Sequence, residues 1–599
     1  MQSISMATAG TVIPGQWIVG NSSAERDVLP LEQFEYGDVV LASDLHEKQL
    51  AQTHSVLMGL SDDSLLKPFR QMSGQPAPGG DLGGWYSYIP DYKWGQNNNA
   101  GFAPTCTFGQ WVSALARMYA IRKDQATRDK VIRLNRLYAQ TISGDYYDKN
   151  RFPTYCYDKI VCGLIDSHRY VEDPDAFRIL QATTDAALPH FPKHAVEHGM
   201  DWRSKNDKVW TWDESYTISE NLFLAYQRGA GERYRELGRQ YLDDEYYDPL
   251  AEGQNVLGGR HAYSYVNSLS SAMQAYLTLG SEKHLRAARN GFDMLSRQSF
   301  VTGGWGPDEL LRSPDSTDLY DSLTTSHASF ETPCGSYAHF KLTRYLLRVT
   351  RDARYGDSME RVMYNSVLGA KPLMTDGRTF YYSDYNFKGH KFYRDEQHWA
   401  CCSGTLPQVA ADYRINTYFR DTSGVWVNLY IPSTLRWNQD GAEVILTQGS
   451  QYPFESVVQF DVETSRAMDF ALSFRIPAWA SSATIAVNGR RVPTQIMPGA
   501  FASIQRQWKT GDRIELELPM TMRLEAIDPQ HPQIVALAFG PLVLFAMTDA
   551  QPSLTRADLL AARRMDRRRW QVRTAGAPLT MLPFVEIGDE LYSTYLRVT

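Results

Sequence analysis

A helical toroid followed by all-β domains is the fold class the sequence predicts, and three observations predict it. Apolar residues at helical spacing run through the first two-thirds of the chain, strand-like alternation takes over near residue 416, and 599 residues are too many for one hydrophobic core.

The helical stretch begins at 44–70, where apolar residues at helical spacing are interrupted by an Asp-rich break. FGQWVSALARMYAIRKD (108–124) is an amphipathic helix with a basic end. RDKVIRLNRLYAQTIS, DAFRILQATTDAALPHF, ENLFLAYQRGAGERYRELGRQYL, SYVNSLSSAMQAYLTLG and EKHLRAARNGFDMLSRQ repeat the pattern, and 339–370 closes it. Between the helices lie loops of ten or more residues rich in Gly, Trp, His and Tyr. Helical hairpins set around a ring, with those loops forming the mouth of an active site, fit this rhythm. A solenoid would need a fixed repeat, and none is present.

Beyond residue 416, GVWVNLYIPSTLRW, VVQFDVET, DFALSFRIPAWA and RIELELPMTMRLEAI alternate as strands do, and Asn488-Gly489 signals a hairpin. Near the C-terminus LLAARRMDRRRWQV reads as a basic helix, before MLPFVEIGDELYSTYLRVT returns to strand character. The expected organisation is an N-terminal extension (1–30) pairing with the β region, a helical catalytic domain (31–415), a β-sandwich (416–525) and a smaller β domain (526–599).

The 61 basic and 68 acidic residues give a net charge of -7 with no strongly basic stretch, which argues against nucleic acid as a partner. No apolar run is long enough to span a bilayer. The N-terminus has neither a charged n-region nor a continuous apolar h-region, so a cytoplasmic location is expected, or a periplasmic one had a leader been removed. The 35 Tyr and 14 Trp suit a protein that stacks on sugars, although core packing accounts for most such rings.

The six cysteines are too few for a disulfide framework in a chain of this size, and the adjacent pair Cys401-Cys402 could bridge only through a strained ring. A thiol or metal role is the better reading. In HASFETPCGSYAHFKL (327–342), Thr332 suits an N-cap and Pro333 the first helical position, so Cys334 falls in the first turn, where the helix terminus favours a thiolate. Were this segment to meet HWACCSG (398–404), three thiolates and Glu331 could surround one zinc ion. Three buried cysteines and a solvated carboxylate explain the same residues about equally well.

A series of motifs adds to this. LLKPFRQMSG, GGWYSY, YCYDKIVCGLIDSH, HAYSYVNS, FVTGGWG, Glu-Thr-Pro-Cys, RDARYGDSMERVMYNSVLGA, the Cys-Cys pair and VNLYIPS occur in that order. In these the chain resembles the β-L-arabinofuranosidases of glycoside hydrolase families 127 and 146 over most of the helical region and the first β domain. The resemblance implies an (α/α)6 barrel followed by β-sandwich domains. It implies zinc held by Glu331, Cys334, Cys401 and Cys402, with Cys401 as nucleophile, Glu309 as acid/base and His261 beside the sugar. The sequence departs from the family at two places. Glu331-Thr-Pro-Cys334 carries one residue more than the usual Glu-x-Cys, and GWGPDELL (304–311) alters the acid/base loop, leaving Asp308 as a rival to Glu309. Tyr263, Tyr265, Trp85 and Trp305 are candidates to line a pocket, and His398 to orient the cysteine pair. Asp357 and Glu360 read as helix-face charges or salt-bridge partners. The expected activity is retaining hydrolysis of a plant-cell-wall-type β-L-arabinofuranoside or a related pentofuranoside, by a chain that could form a homodimer. Two alternatives are another toroid enzyme, such as a polysaccharide lyase or epimerase, and a non-catalytic carbohydrate-binding protein with structural zinc.

Overall fold

The computed structural model describes residues 29–196, 213–492 and 496–599. Most of the expected N-terminal extension, including the stretch read for a leader, lies outside these residues.

Helices dominate from Asp44–Gly59 to Cys402–Asp412, and strands dominate after that. Two kinds of helix alternate along the chain. Phe108–Arg122, Pro153–Asp166, Ala262–Leu279 and Thr332–Thr350 are buried nearly all round, whereas Gln125–Ala139 and Glu282–Ser296 bury one stripe each. The buried helices pack in succession. Phe108–Arg122 lies on Pro153–Asp166, which touches Ser219–Gln227; that helix meets Ala262–Leu279, then Thr332–Thr350, then Cys402–Asp412, which packs back on Phe108–Arg122. At the first of these contacts the backbones nearly touch. A Cβ on Gly109 would stand 1.9 Å from the Lys159 carbonyl oxygen, so only glycine fits there.

Three larger sheets complete the molecule. A five-stranded sheet runs Glu32–Gln33, Tyr418–Asp421, Gly424–Val427, Met468–Ile476, Ala500–Trp508. A seven-stranded sheet runs Arg490–Arg491, Thr484–Val487, Asp512–Glu517, Val457–Thr464, Ala442–Ser450, Ser433–Gln439, Val39–Leu41. Strand Asp512–Glu517 alternates buried and exposed residues without exception, as period-2 geometry requires. The expected Asn488-Gly489 turn is present: both residues are left-handed, at φ 52° and 75°, and Val487 pairs with Arg490. Glu32–Gln33 and Val39–Leu41 are edge strands of these two sheets, so the start of the helical segment is tied to the β region.

The third sheet, Met522 to Arg597, corrects one reading. LLAARRMDRRRWQV contributes only its first two residues to a short helix, Arg556–Leu560, and then forms a hairpin of Arg563–Asp566 and Arg569–Val572. Trp570 and Val572 are buried while Arg569 faces out, a strand period that the arginine-rich composition hides. Lys391 pins this region to the helical domain. Its buried ammonium donates to the carbonyls of Gly369 (2.7 Å), Phe584 (2.6 Å) and Ile587 (2.9 Å). Among the described residues, no helix is long and apolar enough to cross a membrane.

Candidate active site: a thiol–carboxylate cluster in an acidic cavity

Strand Phe330–Glu331 pairs with Tyr382–Ser383 and runs directly into helix Thr332–Thr350. The cap position is Glu331 rather than the expected Thr332, and its carboxylate does not cap the helix. It turns instead to the cysteines, 3.5 Å from Cys401 Sγ and 3.7 Å from Cys402 Sγ. Cys334 lies one turn on, its Sγ 3.4 Å from Cys402 Sγ. The extra residue in Glu331-Thr-Pro-Cys334 is thereby absorbed, because residues three apart at a helix start share a face. Cys401 and Cys402 open helix Cys402–Asp412.

These four groups fit a metal ion. Their ligand atoms all lie within 4.8 Å of one another, and Glu331 Oε2 is buried without a hydrogen-bond partner. A tetrahedral zinc site with sulfur and carboxylate ligands has ligand–ligand edges of about 3.6–3.8 Å, close to the separations above. Three soft sulfurs favour zinc over magnesium or calcium. Of the three thiols, Cys401 is the one whose neighbours favour a negative charge. Burial opposes it, but hydrogen bonds with Cys334, Cys402, Tyr381 and Glu331 hold this thiol well below its ordinary range. Burial pushes Cys334, Cys402 and Glu331 up.

Cys401 is 7% exposed and faces a cavity of about 380 Å³, while Cys334 and Cys402 are sealed behind it. Trp85, His261, Tyr263, Asp308, Glu309 and Glu331 line the same cavity. Glu309 and Asp308 both sit in a left-handed turn, at φ 59° and 57°, a conformation costing on the order of 1 kcal/mol each for non-glycine residues. The turn sends the two carboxylates to different partners. Asp308 bonds Ser326 Oγ (2.6 Å) and faces Arg312 (3.3 Å), with its side chain half exposed. Glu309 faces inward, 3.4 Å from His261 Nε2 and accepting the Tyr382 hydroxyl.

Three groups here escaped the sequence reading. Glu214, buried and at φ 45°, lies 3.4 Å from His261 Nδ1, so the imidazole is held between two carboxylates. Tyr381 brings its hydroxyl 3.4 Å from Cys401 Sγ, and Tyr382 holds Glu309. No spacing or motif marks any of them; a polar WDES loop and a tyrosine pair are the only signals. Conversely, three candidates are not brought to the cavity. Trp305 is 1% exposed, edge-on to Phe330, with its Nε1 3.4 Å from His339. Tyr265 stacks on Tyr216 at 4.5 Å. His398 meets the Gly84 segment through its carbonyl, which accepts Trp85 N–H at 3.0 Å, and its ring does not line the cavity.

Burial works against a charge on His261, but the hydrogen bonds to Glu214 and Glu309 outweigh it and push its pKa up to about 10. A raised histidine contributes stability that is complete below its unfolded value, about 6.5, and is lost as pH rises through about 10. Glu214→Gln is expected to move that loss down towards neutral pH and to lower kcat/KM roughly tenfold. Imidazole NMR resonances followed against pH check this; a titration unchanged from wild type refutes it.

Residues 38–414 match the family model described as β-L-arabinofuranosidase, GH127 catalytic domain, and residues 424–520 match the GH127 middle domain. Among solved structures, Ara127N-Se, a GH127 β-L-arabinofuranosidase from Geobacillus stearothermophilus T6, is 19% identical with a TM-score of 0.69, covering 94% of this chain and 100% of its own. The GH127 β-arabinofuranosidase BT3674 is 17% identical with a TM-score of 0.72, covering 95% and 98%. No curated protein matches the chain. A helical domain with an acid-lined cavity, backed by β-rich domains and matched by both family models, defines a glycoside hydrolase. The chain belongs to the GH127 β-L-arabinofuranosidase family.

Proposed function

We propose that this protein is a retaining glycoside hydrolase that cleaves β-L-arabinofuranosides or closely related pentofuranosides, with Cys401 as nucleophile and Glu309 as acid/base. The observation that carries the reading is that Cys401 and Glu309 line one cavity. Retention requires two groups acting in turn on one anomeric centre. Glu309 protonates the departing oxygen while Cys401 Sγ attacks the anomeric carbon; the aglycone leaves and a thioglycoside forms. Glu309, now ionised, takes a proton from water; the water oxygen attacks the same carbon, and Cys401 departs as a thiolate. His261 and Tyr382 hold Glu309 in position, and Glu214 fixes His261 from its other side. A zinc ion held by Glu331, Cys334, Cys401 and Cys402 would keep the Cys401 thiol deprotonated and temper its reactivity. Asp308, engaged with Ser326 and Arg312, is the weaker acid/base candidate. The succession of buried helices supports an (α/α)6 barrel as the frame, with the five- and seven-stranded sheets as its β-sandwich.

A panel of aryl glycosides, assayed alongside zinc content and thiol alkylation, tests the proposal. Turnover is expected on the β-L-arabinofuranoside, with zinc bound at the four-ligand thiol cluster. Loss of activity on alkylation is expected as well. A protein without zinc whose activity survives alkylation overturns it.

A further inference from the structure

Outside the thiol cluster, His327, Asp384 and His390 gather on the rim of the cavity. We propose that they form a second metal site, for a divalent d-block cation such as zinc, which clamps the rim loop. Both imidazoles turn Nδ1 towards one oxygen: Asp384 Oδ2 is 2.8 Å from His327 and 3.5 Å from His390. All three ligand atoms lie within 4.8 Å of one another. A tetrahedral zinc site with nitrogen and oxygen ligands has edges of about 3.3 Å, which these separations bracket.

The surroundings favour an ion over a simple hydrogen-bonded trio. Asp384 is fully buried, yet among the described residues its ion-pair partners are these two histidines, with no lysine or arginine. A buried carboxylate is costly without a charged partner. His390 Nδ1 is buried and makes no hydrogen bond. Asp384 is also fixed from behind. Its Oδ1 accepts Asn386 N–H at 3.0 Å, its Oδ2 accepts His390 N–H at 3.1 Å, and its carbonyl accepts the Tyr592 hydroxyl at 2.7 Å. His390 stacks on Phe392 at 4.3 Å, which sets the ring plane. The histidine side chains are 46% and 36% exposed beside an open groove, so water could complete the coordination. Nearby Arg394 does not compete for Asp384; its guanidinium bonds the His327 carbonyl and lies 4.8 Å from the Tyr382 ring.

Two imidazoles and one carboxylate suit zinc, nickel or cobalt and discriminate against calcium and magnesium. Such an ion would join residue 327 to the loop from 384. The first segment continues into Ala328 and the second into Arg394, Glu396 and Gln397, all of which line the cavity. The ion would therefore stiffen the cavity wall without touching the reacting atoms.

Cobalt(II) titration of the full chain tests this, because the two kinds of site differ in colour. Cobalt on thiolates shows intense sulfur-to-metal charge transfer, and cobalt on nitrogen and oxygen does not. Wild type is expected to take up one equivalent lacking the charge-transfer band. His327→Ala/His390→Ala is expected to lose that equivalent while keeping any thiolate-bound one, and His390→Gln alone is expected to weaken it by at least about tenfold, the cost of losing even a partner behind a ligand. The histidines are partly exposed, so circular dichroism should show both variants folded. Absence of a thiolate-free equivalent in wild type, or its survival in the double variant, overturns the proposal. Failure of the thiol cluster to bind metal would appear as a missing charge-transfer band, independently of this result.

Discussion

Cys401→Ala is expected to lower kcat on an aryl β-L-arabinofuranoside by at least ~10⁴-fold, the scale seen when a covalent nucleophile is removed. KM should move far less, because the thiol contributes bond formation rather than ground-state binding. Geometry singles this cysteine out from the other two. Cys401 alone of the three faces the cavity, while Cys334 and Cys402 are sealed behind it. The companion variant Cys402→Ala separates chemistry from scaffolding. It should lose activity together with bound metal, because Cys402 is sealed behind Cys401 and can act only through the cluster. Cys401→Ala likewise keeps three of the four groups, Glu331, Cys334 and Cys402, so its zinc content shows how much of its loss comes from the metal rather than from the missing nucleophile. Product anomers followed by NMR in the first seconds of wild-type turnover should show retained configuration. Activity of Cys401→Ala within tenfold of wild type, or inverted product, would refute the assignment.

The grouping of the candidate side chains was legible where they are local in the chain. The Cys-Cys pair, Glu331 with Cys334, and the Pro307–Glu309 turn each lie within a few residues, so a helix start or turn fixes their relative positions. Glu214 was not legible. It reaches His261 across 47 residues from a loop with no periodicity, and nothing in that loop dictates the direction of its side chain. Trp305 shows the converse: a glycine-rich loop suggested a pocket ring, but composition does not say which way an indole turns, and this one turns into the core. Among the strands, Glu32–Gln33 and Val39–Leu41 are two and three residues long, too short for any period to register. The helical and β halves were readable because each repeats its period many times.

Asp357 and Glu360 were read from sequence as helix-face charges or ion-pair partners, and they anchor the largest expected stability effect. Arg475, 0% exposed in strand Met468–Ile476, inserts under helix Ala353–Asn365. It bonds Asp357, lies 2.8 Å from Glu360 Oε1 and donates to the Asn428 carbonyl at 2.6 Å. Gly356 makes room, since a Cβ there would stand 2.5 Å from Arg475 Cδ. Arg475→Met fills most of the volume but leaves Glu360 buried with, among the described residues, only the Tyr452 hydroxyl, 2.7 Å away. Removing one partner of a buried pair costs about 3–5 kcal/mol. The deficit should depend on pH in a definite direction. Burial already pushes the Glu360 carboxyl up, and Arg475 is the leading influence that lowers it. Without Arg475 the folded value rises further. A carboxyl raised in the folded state contributes stability that is complete below its unfolded value, about 4.3, and is lost as pH climbs through the folded one. The variant should therefore lose less at pH 5, where Glu360 takes a proton, than at pH 8. Urea midpoints at both pH values measure this, provided the slope of the transition stays constant. Adding Glu360→Gln to Arg475→Met removes the stranded charge and should recover part of the loss at pH 8 but little at pH 5. Equal deficits at the two pH values, with no recovery in the double variant, would mean that Arg475 acts by packing alone.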